Sequence, residues 1–229
     1  GPSLGAHAPH STSAALLRAA KAWTRARGRP LAIHAAESLE ETEFLLTGTG
    51  IWKEFLIERG KWVASWQAPG TTPVQYLKSL NLLDEKTLAV HLTRAKEEDL
   101  VLLKGHGTRI AICPRSNQFI TGTLAPLPAM LRAGLEPALG TDSLASNRDL
   151  GLWGELEVLA QNFPEINPWE MLRMATINGA AALHLTDRTG DLAPGKKARM
   201  FFLPLESVKK KELASAVIHS GGLGLEWLD

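Results

Sequence analysis

The sequence predicts an α/β fold of parallel strands, of the (β/α)-barrel kind, and three observations predict it. Short apolar runs alternate with stretches of helical spacing, five times before residue 184, which is the grammar of a parallel sheet. The runs are nearly all apolar, as strands buried on both faces are. Each also ends in polar residues, and in a (β/α) barrel the C-terminal ends of the strands carry the chemistry.

The first run, residues 4–8, leads into HAPHSTS. Ser11 or Thr12 then caps a helix with Leu16, Leu17, Ala20 and Trp23 as its apolar stripe. Gly28 stops this helix and Pro30 opens the next strand. Residues 31–33 form a buried run that opens abruptly into His34 and Glu37. An acid-rich helix over 40–46 and an irregular segment with Trp52, Trp62 and Trp66 follow. A loop this long at a strand end is usually functional; its tryptophans either shape a pocket or pack the loop down. Thr72 caps the helix VQYLKSLNLL, with Pro73 at its first position.

Residues 87–91, TLAVH, make the next strand, and this apolar run too ends in a histidine. A helix over 97–103 leads to a strand over 109–113 that ends in PRSN. A helix over 127–131 leads to a strand over 137–140 that ends in TDSLASN. Helices over 152–161 and 169–183 close this part. From Gly190 the pattern changes: DLAPGKKARMFFLPL reads as a turn and a β run, and AVIHSGGLGLEWL as a further strand pair. Residues 209–211, all lysine, read as a solvated linker. The predicted domains are residues 1–189 and 190–229.

Apolar residues at 45% and charged residues at 21% are ordinary for a soluble globular chain. With 25 basic and 24 acidic residues, net charge +1, electrostatics nominate neither nucleic acid nor membrane as partner. Cys113 is the single cysteine; it excludes an intrachain disulfide and reads as an inert core thiol. No apolar stretch approaches the roughly 20 residues of a membrane span, and no signal peptide is evident, so the expected location is the cytoplasm. Gly1-Pro2 reads as a tag scar or a break point. His106, His184 and His219 are expected to be structural, and no Walker or dinucleotide pattern occurs.

HAAE alone fits two readings. An imidazole can hold a metal while a carboxylate one turn on moves protons, or the strand runs into an acid-favouring helix start with His34 bonded in the core. His34, Glu37, His91 and Asp142, each at or just beyond a strand end, favour metal-assisted hydrolysis. There a divalent ion lowers the pKa of its water towards ~7 and a carboxylate takes and returns the proton.

HAAE, AVH, CPRSN and above all GTDSLASN resemble the amidohydrolase superfamily, in particular its branch of methylthioadenosine/S-adenosylhomocysteine deaminases and chlorohydrolase-like enzymes. The resemblance implies an α/β fold: a partial (β/α)8 TIM-type barrel, strands four to eight, with part of a small β-sandwich appendage. By the same resemblance His34 is a metal ligand and Glu37 the proton shuttle. His91 holds the water or the developing oxyanion, and Asp142 is both metal ligand and general base. His7, Trp66, Asn117 and Ser143 are expected on the substrate side; Ser116 and Asn147 shape loops. The implied cofactor is one divalent metal ion, zinc before iron, held weakly or not at all by these residues alone.

The implied reaction is deamination of an aminopurine nucleoside or related heteroaromatic amine. The alternatives are a chlorohydrolase or amide hydrolase on the same site, or a non-catalytic half-barrel that assembles with another chain. The chain departs from the family in lacking the first-strand His-x-His, and its Arg199-Met200 stands where relatives carry an acidic and an aliphatic residue. The expected partners are therefore a small-molecule substrate, an N-terminal segment of the same protein, and another copy of the chain.

Overall fold

Strand and helix alternate in the predicted order through the computed structural model, which describes residues 3–228; Gly1-Pro2 lies outside the described residues. The chain runs β1 (Leu4–Gly5), α1 (Ala14–Ala26), β2 (Leu31–Ala35), α2 (Leu39–Thr47), α3 (Ile51–Glu58), α4 (Pro73–Ser79), β3 (Thr87–His91) and α5 (Glu97–Gly105). It continues through β4 (Arg109–Ile112), α6 (Pro114–Thr121), α7 (Leu127–Arg132), β5 (Ala138–Leu139), α8 (Leu152–Asn162), α9 (Pro168–Ala175) and α10 (Ile177–Ala182). Last come β6 (Met200–Phe202), a 3-10 turn (Lys210–Glu212), α11 (Leu213–His219) and β7 (Glu226–Leu228). The chain divides into two compact units: residues up to Ile110 with Thr123–Leu135, and Ala111–Gly122 with everything from Glu136 onward. No helix among the described residues is long and apolar enough to cross a membrane.

In the first unit β1, β2 and β3 are parallel, in a register running from Leu31 opposite Thr87 to Ala35 opposite His91. Leu31, Ile33, Ala35 and Ala89 point into a core completed by Leu17, Leu45, Leu77, Leu100 and Leu103, all buried. The alternate residues Ala32 and His34 face the other side and are half-buried, as the two-residue period of a strand requires.

Four local expectations change in this unit. The cap of α1 is Ser13, which accepts from Leu16 N–H. Thr12 is already committed, its hydroxyl donating to Ala6 O at 2.9 Å, and Ser11 pairs with His7 Nδ1. The helix buries Leu17, Lys21 and Thr24, while Leu16 lies exposed. Lys21 goes in because its Nζ meets Asp84 Oδ1 at 2.5 Å and Thr87 Oγ1 at 2.6 Å; Arg25 adds a 2.8 Å bond to Asp84 Oδ2. Part of the segment read as irregular is helix α3. Helix α4 starts at the predicted Thr72 cap, in a capping box with Gln75, but ends at Ser79, because Asn81 turns left-handed (φ 57°).

In the second unit β4 and β5 are parallel, Ala111 opposite Ala138 and Ile112 opposite Leu139. PRSN opens α6, with Pro114 at its first turn, where a missing N–H costs nothing. The single helix expected over 169–183 is two, because Thr176 leaves helical space (φ −126°, ψ −96°). The strand expected at AVIH is helix α11, which buries Ala214 and Ile218 four residues apart and accepts Trp153 Nε1–H on Val217 O at 3.0 Å. β6 and β7 pair antiparallel, with Phe201 edge-on to both Trp153 and Trp227.

Candidate active site at the strand ends

Three strand exits of the first unit are tied together by backbone hydrogen bonds. His34 N–H donates to His7 O at 2.7 Å, Leu92 N–H to Ala35 O at 3.1 Å, and Arg94 N–H to Ala36 O at 2.8 Å. The Thr93 hydroxyl donates to Glu37 O. Ser38 then caps α2, accepting from Glu41 N–H at 3.1 Å, so Glu37 is held between a pinned strand end and a fixed helix start.

The backbone also aims the side chains. In an unbroken strand His91 would share the face of its register partner Ala35. Instead its φ is +75°, and its ring lies edge-on to His34 with centroids 4.8 Å apart. His7 (φ +52°) likewise turns edge-on to His34, at 5.6 Å. Left-handed backbone at a non-glycine residue is uncommon and clusters at functional sites. The result is one group: His34, Glu37 and His91 each offer a ligand atom, and these atoms lie within 4.8 Å of one another. His91 Nε2 faces Glu37 Oε1 at 3.5 Å; the imidazole is buried and the Glu37 side chain half-buried. Two imidazoles and a carboxylate are a nitrogen and oxygen donor set that fits zinc.

Three more residues lie beside this group, of which His10 and Glu41 carry no role in the sequence reading. His10 stands beyond His7 with centroids 6.1 Å apart, and Trp52 lies against His10 at 4.4 Å. Glu41, 1% exposed, accepts Glu37 N–H on Oε2 at 2.8 Å. Its signal was legible as the fourth residue of an S-x-x-E helix start. Trp66 stacks on Phe44 (centroids 4.6 Å, 5° between planes) beside Trp62.

The second unit holds Asp142, also left-handed (φ +57°). Its Oδ2 accepts from Ser116 at 2.8 Å and Ser146 at 2.6 Å, and the two hydroxyls bond each other at 2.9 Å. Asn117 is buried on α6, and Ser143 is exposed. Buried Glu155 ties PRSN to the TDSLASN loop: it accepts from Arg115 N–H and Nε, and from Asn147 Nδ2 at 2.6 Å. Arg115 also pairs with Asp149, whose carboxyl those bonds hold down at about 2. Cys113 is buried, as expected.

The sequence profile of the amidohydrolase family matches residues 1–222. A 5-methylthioadenosine/S-adenosylhomocysteine deaminase of Teredinibacter turnerae is 32% identical over 211 residues, 89% of this chain and 43% of the relative. An adenosine deaminase structure from Xanthomonas campestris with bound zinc superposes with a TM-score of 0.71 at 26% identity, over 86% of this chain and 42% of that one. The aminofutalosine deaminase of Helicobacter pylori shares the fold, with a TM-score of 0.82 at 24% identity, over 99% of this chain and 56% of that one. The chain thus spans less than half the length of the deaminase relative it matches.

Proposed function

The chain belongs to the amidohydrolase family, and from that premise we propose that its protein is a metal-dependent hydrolase that deaminates an aminopurine nucleoside. The observation that carries this reading is the cluster of His34, Glu37 and His91 at adjacent strand ends. The name of the Teredinibacter relative supports the substrate class, and the zinc in the Xanthomonas enzyme supports the metal.

In this reading His34 and Asp142 are ligands of a divalent ion, zinc before iron. When bound, that ion supplies Lewis acidity and brings the pKa of its water towards ~7. Glu37 takes a proton from the attacking water and returns it to the leaving amine, so that water and the amine become a carbonyl and ammonia. His91, 3.5 Å from Glu37, donates to the oxygen that gains charge, while Asp142 acts as base. His7 contacts the substrate; Trp66, Asn117 and Ser143 complete its surroundings. We infer further that residues 1–189 are the later part of a (β/α)8 barrel and 190–229 part of a β-sandwich appendage. The antiparallel β6–β7 pair supports the second assignment. An N-terminal segment of the same protein would supply the His-x-His strand, and the lone Cys113 supports a cytoplasmic setting.

The test is ammonia release from zinc-loaded protein joined to that segment. Aminopurine nucleosides are expected to react, and Glu37→Gln to lower turnover about 10²–10⁴-fold, the usual worth of a general acid–base group. Ammonia from small amides but from no aminopurine would overturn the substrate class. Turnover of Glu37→Gln within a few-fold of the parent would remove Glu37 from the mechanism.

A further inference from the structure

Glu41 is buried and lies outside the group of His34, Glu37 and His91, and a buried carboxyl group needs a reason. The ordinary one is helix capping. In a capping box the third helical residue reaches back to the backbone N–H of the cap residue itself, here Ser38. Glu41 bonds one residue earlier, to Glu37 N–H at 2.8 Å. Its other oxygen, Oε1, is buried and makes no hydrogen bond among the described residues; neither does buried His10 Nδ1, and the two face each other at 3.9 Å. An acceptor left in the interior is costly unless a donor answers it, and the group that faces it is ring nitrogen Nδ1 of His10.

We propose that Glu41 is the positioning residue of this site. One carboxylate oxygen fixes the backbone of Glu37, and the other sets His10 as the Nδ1–H tautomer, leaving Nε2 of that ring as an acceptor. For what Glu37 and the ring then do, the inference rests on the deaminase reading. It adds that His10, tilted against Trp52 and edge-on to His7, offers that acceptor to a hydroxyl or N–H donor, the kind a nucleoside carries. A neutral imidazole with one nitrogen answering a carboxylate must accept on the other.

The test uses the intact 229-residue chain labelled with ¹⁵N, read by imidazole nitrogen shifts, which report the protonated nitrogen. His10 is expected to carry its proton on Nδ1. Glu41→Gln keeps an acceptor for Glu37 N–H but turns an N–H donor towards His10, so the ring should switch to Nε2–H while Glu37 N–H keeps its exchange protection. Ser38→Ala weakens the α2 cap without touching the carboxylate and should leave the tautomer alone. An unchanged tautomer in Glu41→Gln, or an equal change in Ser38→Ala, would reduce Glu41 to a helix cap. If Glu41→Gln does not fold, the parent decides: a proton on Nε2 overturns the proposal. None of these readouts involves turnover. A switched tautomer without deaminase activity refutes the function and leaves the positioning standing; activity without the switch does the reverse.

Discussion

His34 and Glu37 lie three residues apart, yet they should answer differently to substitution. His34 leaves β2 by ordinary strand alternation and offers a ring nitrogen to the group shared with His91. Glu37 has left the strand and, in the proposed reading, moves protons without holding the ion. Zinc affinity of the 229-residue chain, read by chelator competition, is therefore expected to fall at least about tenfold in His34→Ala, on the scale of losing a group that builds a metal site. In Glu37→Gln it should stay within about threefold. Equal losses would make Glu37 a ligand. Both residues were legible because the strand that carries them ends visibly in the sequence. Glu41 was visible too, but one acid among several at a helix start looks like dipole compensation. Only the 2.8 Å bond to Glu37 N–H gives it another use.

The joint between α1 and β3 is the element whose stability is most exposed to acid. Burial lowers the Lys21 pKa, opposed by its bond to Asp84. Burial alone would raise Asp84, but the bonds from Arg25 and Lys21 outweigh it and hold its carboxyl below the usual 3.8. A carboxyl depressed in the folded state stabilises above the unfolded value and loses that contribution as pH falls through the folded one. Urea midpoints should therefore drop below about pH 4, and Asp84→Asn should flatten that drop. At pH 7 Asp84→Asn should cost about 3 kcal/mol, since it leaves the buried Lys21 ammonium without its counter-charge. Lys21→Met should cost less, because Arg25 still answers Asp84. The reverse order would show that packing, not charge, holds the joint. A stripe drawn from apolar residues could not find Lys21, whose partner lies 63 residues away. For a related reason AVIH reads as strand: β-branched residues favour it locally, and packing of Ala214 and Ile218 decides for helix.

Across the whole molecule, each unit leaves an edge or an aromatic surface exposed. In the first, β1 pairs with β2 and with no other strand among the described residues. In the second, Phe202 and Trp227 on the β6–β7 pair are 54% and 64% exposed. Open edges and exposed aromatics invite pairing. Light scattering of the 229-residue chain should give a mass above that of one copy, or one that resolves when the proposed N-terminal segment is added. A stable monomer holding one tightly bound zinc would sink the partial-barrel reading. The order of strands and helices was legible along most of the chain because βα repeats are written locally. The β runs at residues 200–202 and 226–228 were legible too; the helix between them was not, since its packing through Ala214 and Ile218 and its bond from Trp153 come from distant residues.

The left-handed backbone at His7, His91 and Asp142 also sets which substitutions can be interpreted there. For an ordinary L-residue that conformation costs roughly 1–2 kcal/mol. Histidine, aspartate and asparagine visit it more readily than most. Alanine at 91 or 142 therefore changes two quantities together, the functional group and the ease of the turn that aims it. Asparagine keeps the turn and removes the ionisable group. At Asp142 it also keeps a side-chain oxygen for the Ser116 and Ser146 hydroxyls. His91→Asn and Asp142→Asn thus separate chemistry from conformation, and an alanine scan across these strand ends would overstate what the side chains do.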